Sequence, residues 1–258
     1  MKPVALTIAG SDPSGGAGIQ ADLKTFHQFG VYGEAVVTLV TVQNTVRVSR
    51  VECLSAELVA EQIRAVIEDI RPQAAKTGAL GARAIVEAVA DLAREFDFPL
   101  VVDPVMISKH GAPLIAEDAR QAVRDRLLKR AYLVTPNLAE AEALTGIAIR
   151  DVSGMRKAAE ALVCMGARGA LVKGGHLEGA AVDVLHDGSA FHEFPAERID
   201  TRHTHGTGCT YSAAITAQLA LGAPLVEAVS RAKAYITEAI RTAPGLGRGS
   251  GPVNHHAA

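Results

Sequence analysis

Short apolar runs alternate with amphipathic segments along most of the chain. The runs at residues 4–9, 35–42, 74–77, 100–102, 132–135 and 170–172 have the length and character of buried strands. Between them, the segments 55–70, 84–96 and 116–128 repeat apolar residues at helical spacing, and Ser55 is placed to cap the first. Continuous apolar strands separated by such helices predict an α/β fold of parallel βαβ units with helices on both faces of the sheet.

Residues 181–194 depart from this alternation. Two short strand-like runs, 181–185 and 189–194, flank His186-Asp187-Gly188, and Asp-Gly favours a tight hairpin turn. We therefore predict an antiparallel piece at one edge of the sheet. Because no linker, charge block or repeat divides the sequence, we expect one domain over residues 1–258.

Composition narrows the class of protein. Of the 258 residues, 48% are hydrophobic and 21% are charged, which is typical of a globular protein with an aliphatic core. The net charge of -2 and the absence of apolar runs of transmembrane length lead us to expect neither a nucleic-acid nor a membrane partner. Cys53, Cys164 and Cys209 are odd in number and far apart, so we expect reduced thiols in a cytoplasmic protein.

A glycine-rich stretch, HGTGCT at 205–210, runs into an apolar helical pattern at 211–221. Gly206 and Gly208 allow a tight turn that brings backbone N–H groups close to a ligand. A helix that begins just after them adds unpaired donors and the positive end of its dipole, which suits phosphate. We expect this setting to lower the pKa of the Cys209 thiol. On the loop alone, a plain glycine turn that caps a buried helix remains an alternative.

Polar residues follow three of the predicted strands. Asp103, Asn137 and Lys173 come just after strands, and Glu140 follows Asn137 by one helical turn. Because ligands bind beyond the carboxyl ends of parallel strands, these residues are the parts of a Mg²⁺–phosphate site. Each also has a structural alternative: Asp103 could start a turn, Asn137 and Glu140 could form a capping box, and Lys173 could lie at the surface. Their joint occurrence upstream of the glycine loop favours the site.

The N-terminal loop resembles a dinucleotide-binding motif only superficially. The segment GAGIQA at 16–21 fits G-x-G-x-x-G/A, but the next strand ends in Val42-Gln43-Asn44 and offers no acid for a ribose. The chain also lacks a G-x-x-x-x-G-K-[ST] loop. We therefore interpret residues 12–16 as a loop that closes over a small substrate, with Asp22 on the following helix.

The motifs occur in an order that resembles a known kinase family. They lie at 9–22, 43–45, 102–106, 135–140, 173–176 and 204–210, and the chain closes with GPVNHH. Together they are similar, over nearly the whole chain, to the hydroxymethylpyrimidine/phosphomethylpyrimidine kinases of thiamine biosynthesis, in the ribokinase-like superfamily. The motifs at 9–22 and 204–210 are specific, whereas the others are generic to the superfamily. The closing residues resemble the family's own terminus, so we do not interpret them as a tag or a metal site.

This resemblance implies a three-layer α/β/α ribokinase-like fold with a central, mostly parallel sheet, and a homodimer. It implies ATP- and Mg²⁺-dependent phosphorylation of 4-amino-5-hydroxymethyl-2-methylpyrimidine, first to its monophosphate and then to the diphosphate. The small pyrimidine and ATP are therefore the expected partners.

The resemblance also implies roles for particular residues. Gln43 would read the pyrimidine edge, since an amide both donates and accepts. Asp103 and Glu140 would hold the metal. The remaining substrate-binding residues would be Gly10, Ala17, Asp22, Val105 and Lys233, the nucleotide-binding residues Asn137, Lys173 and Thr207, and the catalytic anion hole Gly206, Thr207, Gly208 and Cys209. Lys233 is expected near the substrate end, with a side chain that merely packs its stem along a helix as the alternative.

Cys209 takes the position where sugar kinases of the superfamily, by resemblance, carry an aspartate as base. We expect a less anionic group there to suit the second step, because that acceptor already carries a phosphate. Ala79 departs from the family pattern, which usually has a methionine against the substrate ring, and His203 lies where an asparagine is common. His203 and His205 share one side of an extended segment, but with no third ligand nearby we do not expect a metal there.

Two other functions stay open at this point. A pyridoxal-type kinase on the same fold is the close alternative, and Gln43 argues against it. A non-catalytic ligand-binding module is the distant alternative. It would be expected to have lost Asp103, Glu140, Lys173 or the glycine loop, and all are present.

Overall fold

One nine-stranded sheet runs through the described residues, which are 2–106, 115–175 and 181–257 of this computed structural model. Its strands are β1 Val4–Ser11, β2 Tyr32–Gln43, β3 Val48–Cys53, β4 Ala74–Thr77, β5 Leu100–Val102, β6 Leu133–Val134, β7 Ala170–Val172, β8 Asp183–His186 and β9 Phe191–Phe194. In space they follow the order β3-β2-β1-β4-β5-β6-β7-β8-β9. The six central strands, β2-β1-β4-β5-β6-β7, pair in parallel. The edge strands β3, β8 and β9 pair antiparallel.

Helices cover both faces of this sheet. They are α1 Gly18–Gln28, α2 Ala56–Asp69, α3 Arg83–Leu92, α4 Glu117–Ala122, α5 Leu138–Thr145, α6 Val152–Cys164, α7 Thr207–Ala220 and α8 Leu225–Arg241. Helices α2 to α6 pack on one face, and α1, α7 and α8 pack on the other. Strand β5 is apolar on both faces. Leu100 and Val102 pack against the layer of α2 to α6, and Val101 packs against the layer of α1, α7 and α8.

The predicted parallel strands and the hairpin at one edge are confirmed, as is the cap by Ser55, which accepts from the Leu58 N–H. The helix predicted at 116–128 is shorter and continues through a π-helical turn, Val123–Leu127, and a 3₁₀ turn, Leu128–Arg130. The antiparallel strand β3 is an addition that the sequence analysis missed. Its residues are half-buried or exposed and partly charged, so no apolar run marks it.

The parallel arrangement places the carboxyl ends of six strands at one edge of the sheet. The loops after these strands meet the C-terminal tail there. The His205 N–H donates to the Gly251 carbonyl at 3.0 Å, and the Ser250 N–H donates to the Thr45 carbonyl at 2.8 Å. The tail thus joins the glycine loop before α7 to the turn after β2. Within the described residues, helices that combine the length and apolar character needed to cross a bilayer do not occur.

Candidate active site

A cavity of about 1130 Å³ opens at this carboxyl edge. Its wall includes every residue that the sequence analysis assigned to the site: Gly10, Ala17, Asp22, Gln43, Asp103, Val105, Asn137, Glu140, Lys173, Gly206, Thr207, Gly208, Cys209 and Lys233. Of the quoted motifs, only His176 falls outside the described ranges. The topology therefore gathers the motifs in one place, and their individual contacts decide what each can do.

The glycine loop forms the start of α7. The helix begins at Thr207, earlier than the apolar pattern indicated, so Gly208 and Cys209 belong to its first turn. No side chain from the described part of the chain caps it, which leaves first-turn N–H groups for an anion. A Cβ on Gly208 would lie 3.4 Å from Lys173 Nζ and 3.9 Å from Asp103 Oδ2. The helix start and these two charges therefore border the same space.

Gly206 fixes the angle at which the chain enters this helix. Its φ of 79° lies in the left-handed region, and a Cβ there would come within 1.7 Å of the Gly16 carbonyl oxygen. The loop before α7 therefore packs directly on the loop after β1. Only glycine allows this approach.

Asp103, which is buried, and Lys173, which is half-buried, form an ion pair between the ends of β5 and β7. Lys173 Nζ donates to Asp103 Oδ1 at 3.1 Å, and Ser212 Oγ donates to Asp103 Oδ2 at 3.1 Å. Burial favours the neutral amine, but the carboxylates of Asp103 and Glu140 outweigh it and raise the pKa of Lys173 above its ordinary value. Lys173 therefore presents a permanent positive charge to the cavity, not to the outer surface.

Asn137 and Glu140 form the capping box that the sequence analysis gave as their alternative role. The Glu140 N–H donates to Asn137 Oδ1 at 2.9 Å, and the Asn137 N–H donates to Glu140 Oε2 at 2.9 Å. Glu140 is 7% exposed, and burial together with Asp103 raises its pKa to about 7 in spite of Lys173. The cap does not remove either residue from the cavity wall, so both roles are compatible.

The donor set suits a hard cation that brings its own ligands. Asp103 and Glu140 supply two carboxylates beside one lysine. Among residues 2–106, 115–175 and 181–257, no group of three or more His, Cys, Asp or Glu side chains could hold a metal alone. Mg²⁺ fits this arrangement, since it binds through one or two carboxylates and completes its shell with phosphates and water.

Asp22 forms a buried ion pair with Lys76. Its carboxylate accepts from Lys76 Nζ at 2.8 Å and from Thr7 Oγ1 at 2.6 Å, and Asp22 and Lys76 are both 0% exposed. Burial would lower the pKa of Lys76, but Asp22 more than compensates and raises it. The sequence does not reveal this ion pair, because Lys76 lies within the apolar strand run 74–77 and its partner lies 54 residues away on α1.

Cys209 differs from expectation in its protonation. Burial, with Asp22 and Asp103 nearby, raises the pKa of this thiol to about 12, and Lys76 only partly opposes the effect. The expectation of a lowered pKa was wrong because it considered the helix start and not the burial of the thiol, which is the largest effect, or the two carboxylates that add to it. Cys209 is a neutral thiol at neutral pH.

Gln43 lies at the end of β2 in a hydrogen-bonded line of three side chains. Its amide nitrogen is 3.1 Å from His205 Nε2, which is 2.7 Å from Asp12 Oδ2. Asp12 also accepts from the N–H groups of Ser14 and Ala17, each at 2.9 Å. From the sequence, His205 was assigned to the glycine-rich stretch and rejected as a metal ligand, and Asp12 was assigned to the substrate loop. Their hydrogen bonds to each other and to Gln43 depend on long-range packing, so local sequence patterns do not predict them.

Lys233 lies at the opposite end of the cavity from Gln43. It donates to Asp183 Oδ2 at 2.7 Å and to the Ala181 carbonyl at 3.1 Å. Asp183 belongs to β8, and β8 and β2 lie near opposite edges of the sheet. Lys233 was expected near the substrate end; in the structure it lines the cavity, and its ammonium group is paired with Asp183.

Comparisons with known proteins agree with this geometry. Residues 12–254 match the family model described as phosphomethylpyrimidine kinase. The chain is 52% identical to a hydroxymethylpyrimidine/phosphomethylpyrimidine kinase from Rhizobium meliloti, over 99% of this chain and 97% of that protein. It is 53% identical to the thiamine biosynthesis bifunctional protein ThiED from Geobacter sulfurreducens, over 97% of this chain, and it spans only 51% of that longer protein.

Among solved structures, the ADP complex of pyridoxal kinase from Bacillus subtilis is closely similar in fold. It superposes with a TM-score of 0.92 at 39% identity, over 100% of this chain and 98% of that one. The backbone alone therefore does not separate the two kinase activities.

A matched pair of glycine variants tests the packing of the glycine loop. Gly146, at the end of α5, has a φ of 75° and no atom within 4 Å of an added Cβ. We expect Gly146→Ala to lose only about 1 kcal/mol from left-handed strain. Gly206→Ala has the same strain and a collision with Gly16, so its losses of stability and kinase activity should both be clearly larger. Urea unfolding and initial rates measure them, and equal effects of the two variants would contradict this account.

Proposed function

Because the chain belongs to the phosphomethylpyrimidine kinase family, we propose that this cavity transfers a phosphoryl group from ATP to 4-amino-5-hydroxymethyl-2-methylpyrimidine and then to its monophosphate. The observation that carries the proposal is the start of α7, where Gly208 lies beside Lys173 and Asp103 in the same cavity as Gln43. The same cavity thus contains an anion site at the start of α7 and, at Gln43, a polar end that can bind a heteroaromatic ring. One sheet spans the described strands, which supports a single kinase domain over residues 1–258.

The nucleotide takes the end of the cavity near β7, β8 and α8 in this proposal. Asn137 and Lys173 are adjacent there through a backbone bridge, and Thr207 begins α7 opposite them. Ile199, Ile236 and Ile240 line this end and offer an apolar wall for a base. Lys233 also lies here, so we reassign it from the pyrimidine to the nucleotide side.

The pyrimidine takes the other end, with Gln43 at its edge. Gly10 and Ala17 contribute backbone from the loop after β1, and Val105 contributes a side chain from the loop after β5. Asp22 forms the floor there as half of an ion pair with Lys76, so it acts through the shape and charge of the wall. The reacting hydroxyl group would then point toward Cys209 and the start of α7.

Asp103 and Glu140 would hold Mg²⁺, which supplies neutralisation of phosphate charge when it is bound. Lys173 adds a second positive charge at the same place. The Gly208 and Cys209 N–H groups would stabilise the charge on the transferred group. Cys209 remains protonated in this arrangement. A loose phosphoryl-transfer transition state depends more on positioning than on a strong base, so a neutral thiol is adequate beside the acceptor oxygen.

A homodimer is part of the proposal. Val40, Val42 and Val46 are exposed on β2 and the turn after it, and Tyr32 is exposed at the start of β2. A second copy of the chain would cover such a face. All three cysteines are unpaired, which supports a cytoplasmic location.

Product analysis by mass spectrometry tests the activity directly. The chain is incubated with ATP, Mg²⁺ and the pyrimidine, and in parallel with pyridoxal, while light scattering reports its oligomeric state. We expect the pyrimidine monophosphate first and the diphosphate later, with a higher kcat/KM than for pyridoxal. A preference for pyridoxal would support the alternative kinase activity, and binding without any product would support the non-catalytic module.

Glu140 gives a pH-dependent prediction. With its pKa raised to about 7, Glu140 is largely protonated at about pH 6 and largely ionised at about pH 8. Only the ionised carboxylate binds a cation. We therefore expect Mg²⁺ affinity in the presence of ADP to rise across this range, as measured by calorimetry. Glu140→Gln keeps a side chain that can complete the capping box, so the fold should persist while the part of this rise that comes from Glu140 disappears. Glu140→Ala is the control that loses both the cap and the charge. If Mg²⁺ affinity rises equally in Glu140→Gln, the rise comes from ADP alone and the prediction for Glu140 is wrong.

Cys209 variants separate proton transfer from charge. Because the thiol is neutral, we expect Cys209→Ala to lose less than the roughly 10²–10⁴-fold that removal of a general base costs. Cys209→Asp adds a fixed negative charge, so it should impair the second phosphorylation more than the first, because only the second acceptor is anionic. Cys209→Ser is the neutral control of similar size. Separate rates for the two steps decide the matter, and equal losses in Cys209→Asp would eliminate the charge argument.

A further inference from the structure

His205 connects the loop after β1 to the end of β2. Its Nε2 atom lies 2.7 Å from Asp12 Oδ2 and 3.1 Å from the Gln43 amide nitrogen. The side chains of His205 and Asp12 are each only 4% exposed, so water has little access to their contact. The line from Asp12 through His205 ends at Gln43, which is part of the cavity wall.

Asp12 is ionised in this line. Its carboxylate accepts from the N–H and hydroxyl groups of Ser14 at 2.9 and 2.7 Å and from the Ala17 N–H at 2.9 Å. Burial opposes ionisation, but the hydrogen bonds from His205 and Ser14 hold the pKa of Asp12 below its ordinary value. Because a carboxylate only accepts hydrogen bonds, the facing Nε2 atom of His205 carries a proton and donates it.

A protonated Nε2 determines which end of the Gln43 amide can face it. An N–H group cannot accept from an amide NH₂ group, so two donors would oppose each other if the amide nitrogen faced His205. The two ends of a side-chain amide have the same shape, and the hydrogen-bond network decides between them. The single Nε2 hydrogen is directed mainly at Asp12, 2.7 Å away, and at 3.1 Å the amide oxygen is the end of Gln43 that can share it in a three-centred hydrogen bond. The NH₂ group of Gln43 is then left to the cavity.

We propose that His205, oriented by Asp12, is a positioning residue that makes Gln43 a hydrogen-bond donor to the substrate ring. This rests on the proposed function, since it takes Gln43 to meet the pyrimidine. The favoured substrates are heteroaromatic rings that present an unprotonated ring nitrogen at this edge. The exocyclic amino group is itself a donor, so it needs an acceptor other than the NH₂ group of Gln43.

Two substrate analogues distinguish the two ends of the amide. One is the 3-deaza analogue, in which C–H replaces the ring nitrogen next to the amino group, and the other is the deamino analogue, which keeps that nitrogen. We expect the wild-type chain to prefer the natural pyrimidine over the 3-deaza analogue by roughly tenfold or more in kcat/KM, the effect of one hydrogen bond. Gln43→Leu should abolish this preference and leave discrimination against the deamino analogue unchanged.

His205 variants then test the positioning role. His205→Leu should weaken the preference over the 3-deaza analogue, because the amide of Gln43 becomes free to turn over. His205→Gln should restore it, because its NH₂ group has two hydrogens and can donate to both Asp12 and Gln43. In the double variant with Gln43→Leu, His205→Leu should cause no further loss of preference, as expected for residues that act through one contact.

A merely structural role would give a different result. It would lower kcat for all three substrates alike, alter the KM for ATP, and not be rescued by His205→Gln. The proposal is overturned if His205→Leu keeps the full preference, or if Gln43→Leu removes discrimination against the deamino analogue instead. Failure of the proposed function is distinguishable, because the wild-type chain would then phosphorylate none of the pyrimidines, and both proposals would fall.

Discussion

Buried charge has to be paired, and this constraint organises the whole carboxyl edge of the sheet. An unpaired ion that is largely removed from water is strongly unfavourable, so the buried Lys76 and the half-buried Lys173 and Lys233 each lie against an aspartate. The pairs are Lys76 with Asp22, Lys173 with Asp103, and Lys233 with Asp183. Each pair joins elements that are distant in sequence, so forming the charge pairs also assembles the cavity.

One acid is left over from this pairing. Glu140 lies near the pair of Asp103 and Lys173, and its raised pKa shows that its ionisation is opposed by burial and by the neighbouring carboxylate. A cation at this point would relieve that excess of negative charge. Burial is the main reason that the Cys209 thiol stays protonated, and Asp22 and Asp103 add to it against the opposing charge of Lys76. A bound cation beside Glu140 and a neutral thiol at Cys209 are both consistent with this balance of burial and charge.

The sequence predicted those features that local patterns encode. Apolar runs located the parallel strands, and the rule that ligands bind at the carboxyl ends located Asp103, Asn137 and Lys173 in one cavity. Strand β3 was missed because an edge strand that faces solvent carries no apolar run. The partners of Lys76, His205 and Lys233 could not be predicted, because each pairing depends on how separate elements pack. The expected pKa of Cys209 was wrong for the same reason, because the packing that buries the thiol and brings two carboxylates near it involves residues far away in sequence.

The position of the glycine loop is fixed by backbone geometry, whereas charge pairs position the other residues of the carboxyl edge discussed above. Its donors are N–H groups of α7, held in place because Gly206 packs on Gly16 and because the C-terminal tail pairs with His205. His255 of that tail contacts Thr210 Oγ1 at 3.2 Å, and burial lowers its pKa to about 4, so it adds no charge next to the helix start. A neutral scaffold of this kind can hold an anion at either phosphorylation step without a fixed countercharge of its own. In the proposed reaction, the paired side chains and a bound cation would provide the charge that phosphoryl transfer requires.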